Sequence, residues 1–148
     1  MAVVFSFPIS LCGSRYVFPR FACPRFAVII AIGTDIVALE RIRKILSAPS
    51  RERFLERTFT PIELEYCLAK PDPAPSLAAR FAAKEAFQKC WPETHGWTDV
   101  WIEFEGVKPK LRFSIQLEVS MIESGWQAHV SVSHEKEFAV ATVILEQR

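Results

Sequence analysis

Apolar positions recur with two periods along this chain, and the change from one to the other divides it. Val28 to Ile32 is a continuous apolar, β-branched-rich run and predicts a buried strand. Gly33-Thr34-Asp35 ends the run, which puts Asp35 at a strand terminus. From Leu39 the period becomes helical, with Leu39, Ile42, Ile45 and Leu46 on one face, until Pro49 stops it. Arg51 to Thr58 reads as a second short helix. Thr60-Pro61-Ile62-Glu63 is a helix start: Thr60 caps, Pro61 suits the first position, and Glu63 reaches back to complete a capping box. That helix runs to about Ala69, where Pro71, Pro73 and Pro75 forbid continuation. Ser76 then caps a helix from Leu77 to about Cys90, rich in alanine and closed by Trp91-Pro92.

Beyond this point the period is two. Val100, Ile102 and Phe104 alternate with polar or half-polar neighbours, as do Leu111, Phe113 and Ile115, and then Ala128, Val130 and Val132. A short helical stretch near Leu117 to Glu123 separates the second and third of these strands and ends at Ser124-Gly125. His134 to Glu137 turns the chain into a last apolar strand, Phe138 to Leu145. The fold class expected is α+β, a mainly antiparallel sheet packed with helices.

Length adds the expectation that the 148 residues, 50% hydrophobic, form one domain rather than two. The segment 1–26 differs from the rest. It holds Arg15, Arg20 and Arg25, no Asp or Glu, and apolar stretches broken by Pro8, Pro19 and Pro24. It is expected to be an extension outside the fold, either a targeting segment or an over-extended start, with the domain at 27–148. No run approaches the length of a membrane span. A net charge of +1 points to neither a nucleic acid nor a membrane partner. The four cysteines, Cys12, Cys23, Cys67 and Cys90, have neither zinc-site nor disulfide-framework spacing, as in a cytoplasmic protein with reduced thiols.

Local charge is more informative. Lys and Arg cluster between Arg41 and Arg57. On the alanine-rich helix Arg80, Lys84 and Gln88 share one face, and Phe81, Glu85 and Lys89 form the next row. The Glu85–Lys89 spacing suits an ordinary surface ion pair, and equally a metal-binding carboxylate beside cations for phosphate. Asp35 alone reads as a turn residue or cap; it gains meaning if folding brings it to Glu85, since two carboxylates from separate elements need a cation between them. Ser133 and His134, at a predicted strand end, could hydrogen-bond a phosphate.

Three segments carry a resemblance. Ile32-Gly33-Thr34-Asp35-Ile36-Val37, Arg80-Phe81-Ala82-Ala83-Lys84-Glu85-Ala86-Phe87-Gln88-Lys89, and Val130-Ser131-Val132-Ser133-His134 with Phe138 to Val143 resemble the opening, central-helix and closing-hairpin motifs of the holo-acyl-carrier-protein synthases, in family order. The resemblance covers about Val28 to Glu146. It implies a 4'-phosphopantetheinyl transferase-like fold and a magnesium-dependent transfer of the phosphopantetheine arm from coenzyme A to a serine of apo-acyl-carrier protein, in support of fatty-acid biosynthesis. Asp35 and Glu85 would hold Mg2+, and Glu85, Lys89 and Asp35 would be catalytic. Arg80, Lys84, Lys89, Pro109, Ser133 and His134 would contact the coenzyme. Arg41, Arg51 and Arg53 would face an acidic carrier protein. The resemblance also implies a homotrimer with sites between subunits, and a cytoplasmic location.

The chain departs from the family after the central helix. Where relatives usually have a glycine-containing turn, Cys90-Trp91-Pro92-Glu93-Thr94 offers no glycine for close backbone approach, and Pro92 has no N–H. That loop is the sole sequence support for the alternative, a non-catalytic module binding coenzyme A or the carrier protein on the same scaffold.

Overall fold

The computed structural model describes residues 27–147; the reading of 1–26 as an extension lies outside the described residues. In order come β1 (Val28–Ala38), α1 (Leu39–Leu46), α2 (Arg51–Thr58), α3 (Pro61–Leu68), α4 (Ala74–Cys90), β2 (Val100–Glu105), β3 (Lys108–Phe113), α5 (Ile115–Ser124), β4 (Trp126–His134) and β5 (Phe138–Gln147). The fold class is α+β, with the strands in two antiparallel sheets rather than one: β1-β5-β4 and the hairpin β2-β3.

The capping box at Thr60 forms as the sequence predicts, with the Thr60 side chain accepting from the Glu63 N–H and Glu63 accepting from the Thr60 N–H. Helix α5 closes on Gly125 at φ 65°, a left-handed position that glycine adopts without steric cost. The start of α4 differs from expectation. The helix begins at Ala74, ahead of Ser76, because Pro75 falls in the first turn, where its missing N–H costs nothing, and Asp72 Oδ1 accepts the Ala74 N–H at 3.0 Å.

Helix α4 is the spine. Its alanines Ala78, Ala82, Ala83 and Ala86 are fully buried and let the helix lie close on β1 and β5. On the sheet's inner face Val37, Ala139, Ala141, Val143 and Leu145 complete the core. Gly33 marks the closest approach: a Cβ there would run into the Ala86 carbonyl oxygen and come within 2.8 Å of Cys90 Sγ.

Two expectations about β1 are corrected. The strand does not end at Gly33; it continues to Ala38, so Asp35 is mid-strand, paired with Ala141 of β5. The ladder supplies partners along that length, overriding the weak strand propensity of Gly-Thr-Asp. Nor is the apolar run buried. Ile32 and Ile36 are 60% and 64% exposed on the outer face, beside Val140 and Phe138 of β5. A strand apolar on both faces here has one face on α4 and the other uncovered.

Candidate active site

Asp35 projects from the inner face of β1 toward α4, where Lys89 Nζ donates to Asp35 Oδ1 at 2.8 Å and to the Thr34 carbonyl at 2.7 Å. The Glu85–Lys89 ion pair that helical spacing allowed is absent from the described residues. Lys89 spans instead to the strand, joining residues 54 positions apart in sequence. Glu85 lies one helical turn before Lys89 on the same row. It is half-buried and has no hydrogen-bond or ion-pair partner among the described residues. It borders a small cavity shared with Gln88, His95 and Trp97. One cation and one carboxylate thus meet where α4 crosses β1, with the unengaged Glu85 carboxylate one turn earlier on α4.

The other expected coenzyme contacts divide. Lys84 is 1% exposed; its ammonium pairs with Glu63 Oε2 at 2.8 Å and donates to the carbonyls of Trp97 at 2.8 Å and Val100 at 2.7 Å. With all three donors used inside the core, Lys84 has none left for a phosphate, which corrects that expectation. Burial pulls its pKa below the ordinary value, and the Glu63 carboxylate pulls the other way. Arg80 is also buried, its guanidinium 4.4 Å from the Tyr66 ring centroid and 5.6 Å from that of Phe104. Nη1 donates to the Ser76 carbonyl at 3.2 Å, while buried Nε has no partner among the described residues.

Ser133 and His134 face opposite sides of the sheet. His134 pairs with Ala139 and lies on the inner face, whereas Ser133 pairs with Val140 on the outer face. Alternation along a strand separates them, and β5 lies between both and Asp35. Pro109 lines a groove of about 210 Å³ between β3 and β4, with Lys108 and His129.

Around the α1–α2 corner, Arg41, Arg51 and Arg53 are exposed. The Arg41 guanidinium lies 5.3 Å from the Phe81 ring centroid. Arg53 and Arg57 rim a groove of about 350 Å³ floored by Phe54, Phe81 and Trp97. Phe81 and Trp97 stack at 5.1 Å, so the aromatic floor is continuous. Sequence reading found the arginines and missed the floor, because Trp97 lies 16 residues from Phe81 in a loop without periodicity.

Free Cys67 and Cys90 are buried. Burial raises the Cys67 thiol to about 11 and pushes Cys90 up as well, so both stay protonated and neither is a nucleophile at neutral pH. Among the described residues no cluster of three or more metal-ligating side chains occurs, and no helix is long and apolar enough to cross a membrane.

With this geometry in hand, comparison with known proteins decides the family. The model of the 4'-phosphopantetheinyl transferase superfamily matches residues 31–143. The chain belongs to that superfamily. A holo-[acyl-carrier-protein] synthase of Thermus thermophilus is 50% identical over 121 residues, 82% of this chain and 96% of that protein. One from Deinococcus deserti is 46% identical over 129 residues, covering 82% of this chain and all of its relative. Among solved structures, the Neisseria meningitidis holo-[acyl-carrier-protein] synthase superposes with a TM-score of 0.73 at 32% identity, covering 81% of this chain and 100% of that one. The Bacillus anthracis enzyme, in complex with CoA (3',5'-ADP), gives 0.67 at 33% identity over 81% and 98% of the two chains. The matched residues take in α4 and β1 from Ala31 onward, and with them the crossing of the two.

Proposed function

We propose that this chain transfers the 4'-phosphopantetheine arm of coenzyme A to a serine of apo-acyl-carrier protein, as a holo-acyl-carrier-protein synthase supporting fatty-acid biosynthesis, with Asp35, Glu85 and Lys89 at the reacting phosphate. The observation that carries the assignment of residues is the Lys89–Asp35 contact at 2.8 Å, which joins the first and second motif segments.

The donor set suits Mg2+. Two carboxylates are typical of a magnesium site that leaves its other positions to water and substrate phosphate. Glu85 has no competing partner among the described residues, and Asp35 already holds a cation, the Lys89 ammonium. Asp35 and Glu85 would hold Mg2+, which would supply Lewis-acid neutralisation of the coenzyme pyrophosphate.

The side chains then do the following. The serine hydroxyl oxygen forms a bond to the phosphorus carrying pantetheine, and the bond from that phosphorus to the bridging pyrophosphate oxygen breaks. Glu85 accepts the serine proton. Lys89, whose flexible side chain is 47% exposed, meets the charge that develops on the departing adenosine 3',5'-bisphosphate. Positioning and charge neutralisation carry most of the acceleration in phosphoryl transfer, so no covalent enzyme intermediate is required. Arg80, Pro109, Ser133 and His134 complete the coenzyme contacts in this reading.

The outer face of the three-stranded sheet supports a homotrimer. Exposed Ile32, Ile36, Val140 and Phe138 form an apolar surface that a second copy would cover. Ser133 shares this outer face, so assembly would bring it to a site between subunits. The buried free thiols suit a reducing cytoplasm.

The assay is intact-mass spectrometry of apo-acyl-carrier protein after incubation with this enzyme, coenzyme A and Mg2+. The expected result is a mass gain of one phosphopantetheine that chelation stops and magnesium restores. Coenzyme A binding with no mass gain on any carrier protein would instead indicate a binding module.

Docking of the carrier rests on exposed charge around the aromatic groove. Arg41→Glu is expected to raise the carrier-protein KM on the order of tenfold at low salt and to leave the coenzyme A KM within about twofold. The difference should shrink as salt is added. An unchanged carrier-protein KM would reduce this face to solvated surface.

A further inference from the structure

We propose that Lys84, locked by Glu63, is a positioning residue for the transfer: the buried pair sets the rotation of α4 about its axis and thereby the direction in which Glu85 points. This rests on the functional reading above, in which Glu85 is catalytic.

Six of the twelve buried residues of α4 are alanine, five of them (Ala74, Ala78, Ala82, Ala83 and Ala86) fully buried, and the rest of its apolar contact comes from Leu77, Phe81, Phe87 and Cys90. Contacts of that kind hold a helix against its neighbours but carry little direction, because apolar burial is non-directional and methyl groups interlock weakly. Lys84 carries direction. Its three ammonium donors meet three acceptors: Glu63 Oε2 on α3, the Trp97 carbonyl in the loop after α4, and the Val100 carbonyl at the start of β2. Glu63 is itself fixed from several sides. Its Oε2 accepts from the Thr60 N–H at 3.0 Å and the Thr60 hydroxyl at 3.2 Å, and its Oε1 accepts from the Ile102 N–H at 3.2 Å. Both side chains are at most 1% exposed, so neither end can relax into water.

A fully satisfied buried network of this kind is weak evidence for stability, since apolar replacement is often no worse, but it is well suited to fixing a register. Glu85 follows Lys84 directly, roughly 100° further round the helix. Side-chain tips lie about 5–6 Å from a helix axis, so a rotation of about 10° moves a carboxylate by about 1 Å. A misplacement of that size can cost about 100-fold in rate. Arg80, Lys89 and Cys90 also leave α4 toward other groups, but Lys89 is half in solvent, Arg80 bonds its own helix, and Cys90 offers the Val143 carbonyl only a weak thiol donor at 3.4 Å.

The test compares Lys84→Met and Glu63→Gln with Leu77→Ala, a control at a fully buried position on the same helix. Each is assayed by intact mass well below its melting temperature, with folding checked by circular dichroism. The expected result is a fall in kcat on the order of tenfold or more for the first two, with carrier-protein KM within about twofold, since docking uses α1 and α2. Leu77→Ala should lose melting temperature yet keep kcat within about twofold. Folded Lys84→Met or Glu63→Gln with kcat near wild type would overturn the inference, as would an equal loss in Leu77→Ala. Failure of both variants to fold, while Leu77→Ala folds, would make the pair structural and overturn it too. If Lys84→Met alone is insoluble, Glu63→Gln decides. Absence of transfer by the wild-type enzyme would instead remove the functional reading itself.

Discussion

Glu85→Gln is expected to lower kcat for phosphopantetheine transfer on the order of a thousandfold, with the melting temperature within about 2 °C of wild type. The two halves of this expectation have separate causes. Catalysis should collapse because the amide can neither accept the serine proton nor offer magnesium an anionic oxygen, and general-base loss alone is worth roughly 100- to 10,000-fold. Stability should hold because Glu85 has no ion pair or hydrogen bond among the described residues, so removing its charge strands no buried partner. Its neighbour Lys84 already has Glu63. The measurements are initial rates by intact mass at saturating substrates, and thermal unfolding followed by circular dichroism. Near-normal kcat would remove Glu85 from the chemistry.

Gly33→Ala is expected to be the most destabilising of the substitutions considered, by about 3 kcal/mol or more in urea denaturation. The added methyl would strike the Ala86 backbone carbonyl, and a helix backbone cannot step aside as a side-chain tip can. Cys90 Sγ, 2.8 Å from the same point, could rotate away only by giving up its contact with the Val143 carbonyl. For a domain of this size the loss corresponds to a fall of about 10 °C in melting temperature. Whatever folded protein remains should also transfer poorly, because pushing β1 off α4 separates Asp35 from Lys89. A loss below about 1 kcal/mol would mean that strand and helix are not in backbone contact at Gly33.

The helices were legible because their signals are local. The Thr60–Glu63 box, Gly125 after α5 and the breaks at Pro49 and Pro92 each act within a few residues. The extent of β1 was not, because its continuation through Gly33-Thr34-Asp35 depends on β5, more than 100 residues away in sequence. The exposed outer face of β1 was hidden for a related reason: a run apolar on both faces reads as buried whether its second cover is the same chain or another. Within the proposed site, motif order singled out Asp35, Glu85 and Lys89, and helical spacing put the last two on one row. The partner of Lys89 could not be read, since spacing favours Glu85 and only the packing of Gly33 on α4 brings Asp35 within reach. Lys84 was misread for the opposite reason. A lysine beside a glutamate in a motif tied to phosphoryl transfer suggests phosphate binding, and a capping box accounts for Glu63 locally. That one carboxylate serves the cap, β2 and Lys84 together is a fact of tertiary structure.

The proposed placement of a divalent cation between Asp35 and Glu85 can be tested without turnover. Mn2+ binding, followed by electron paramagnetic resonance in the presence of coenzyme A and absence of carrier protein, reports the site directly. The expected result is saturable binding by the wild-type enzyme, weakened at least about tenfold in both Asp35→Asn and Glu85→Gln while both remain folded. Wild-type affinity in either variant would contradict the assignment of that carboxylate to the metal.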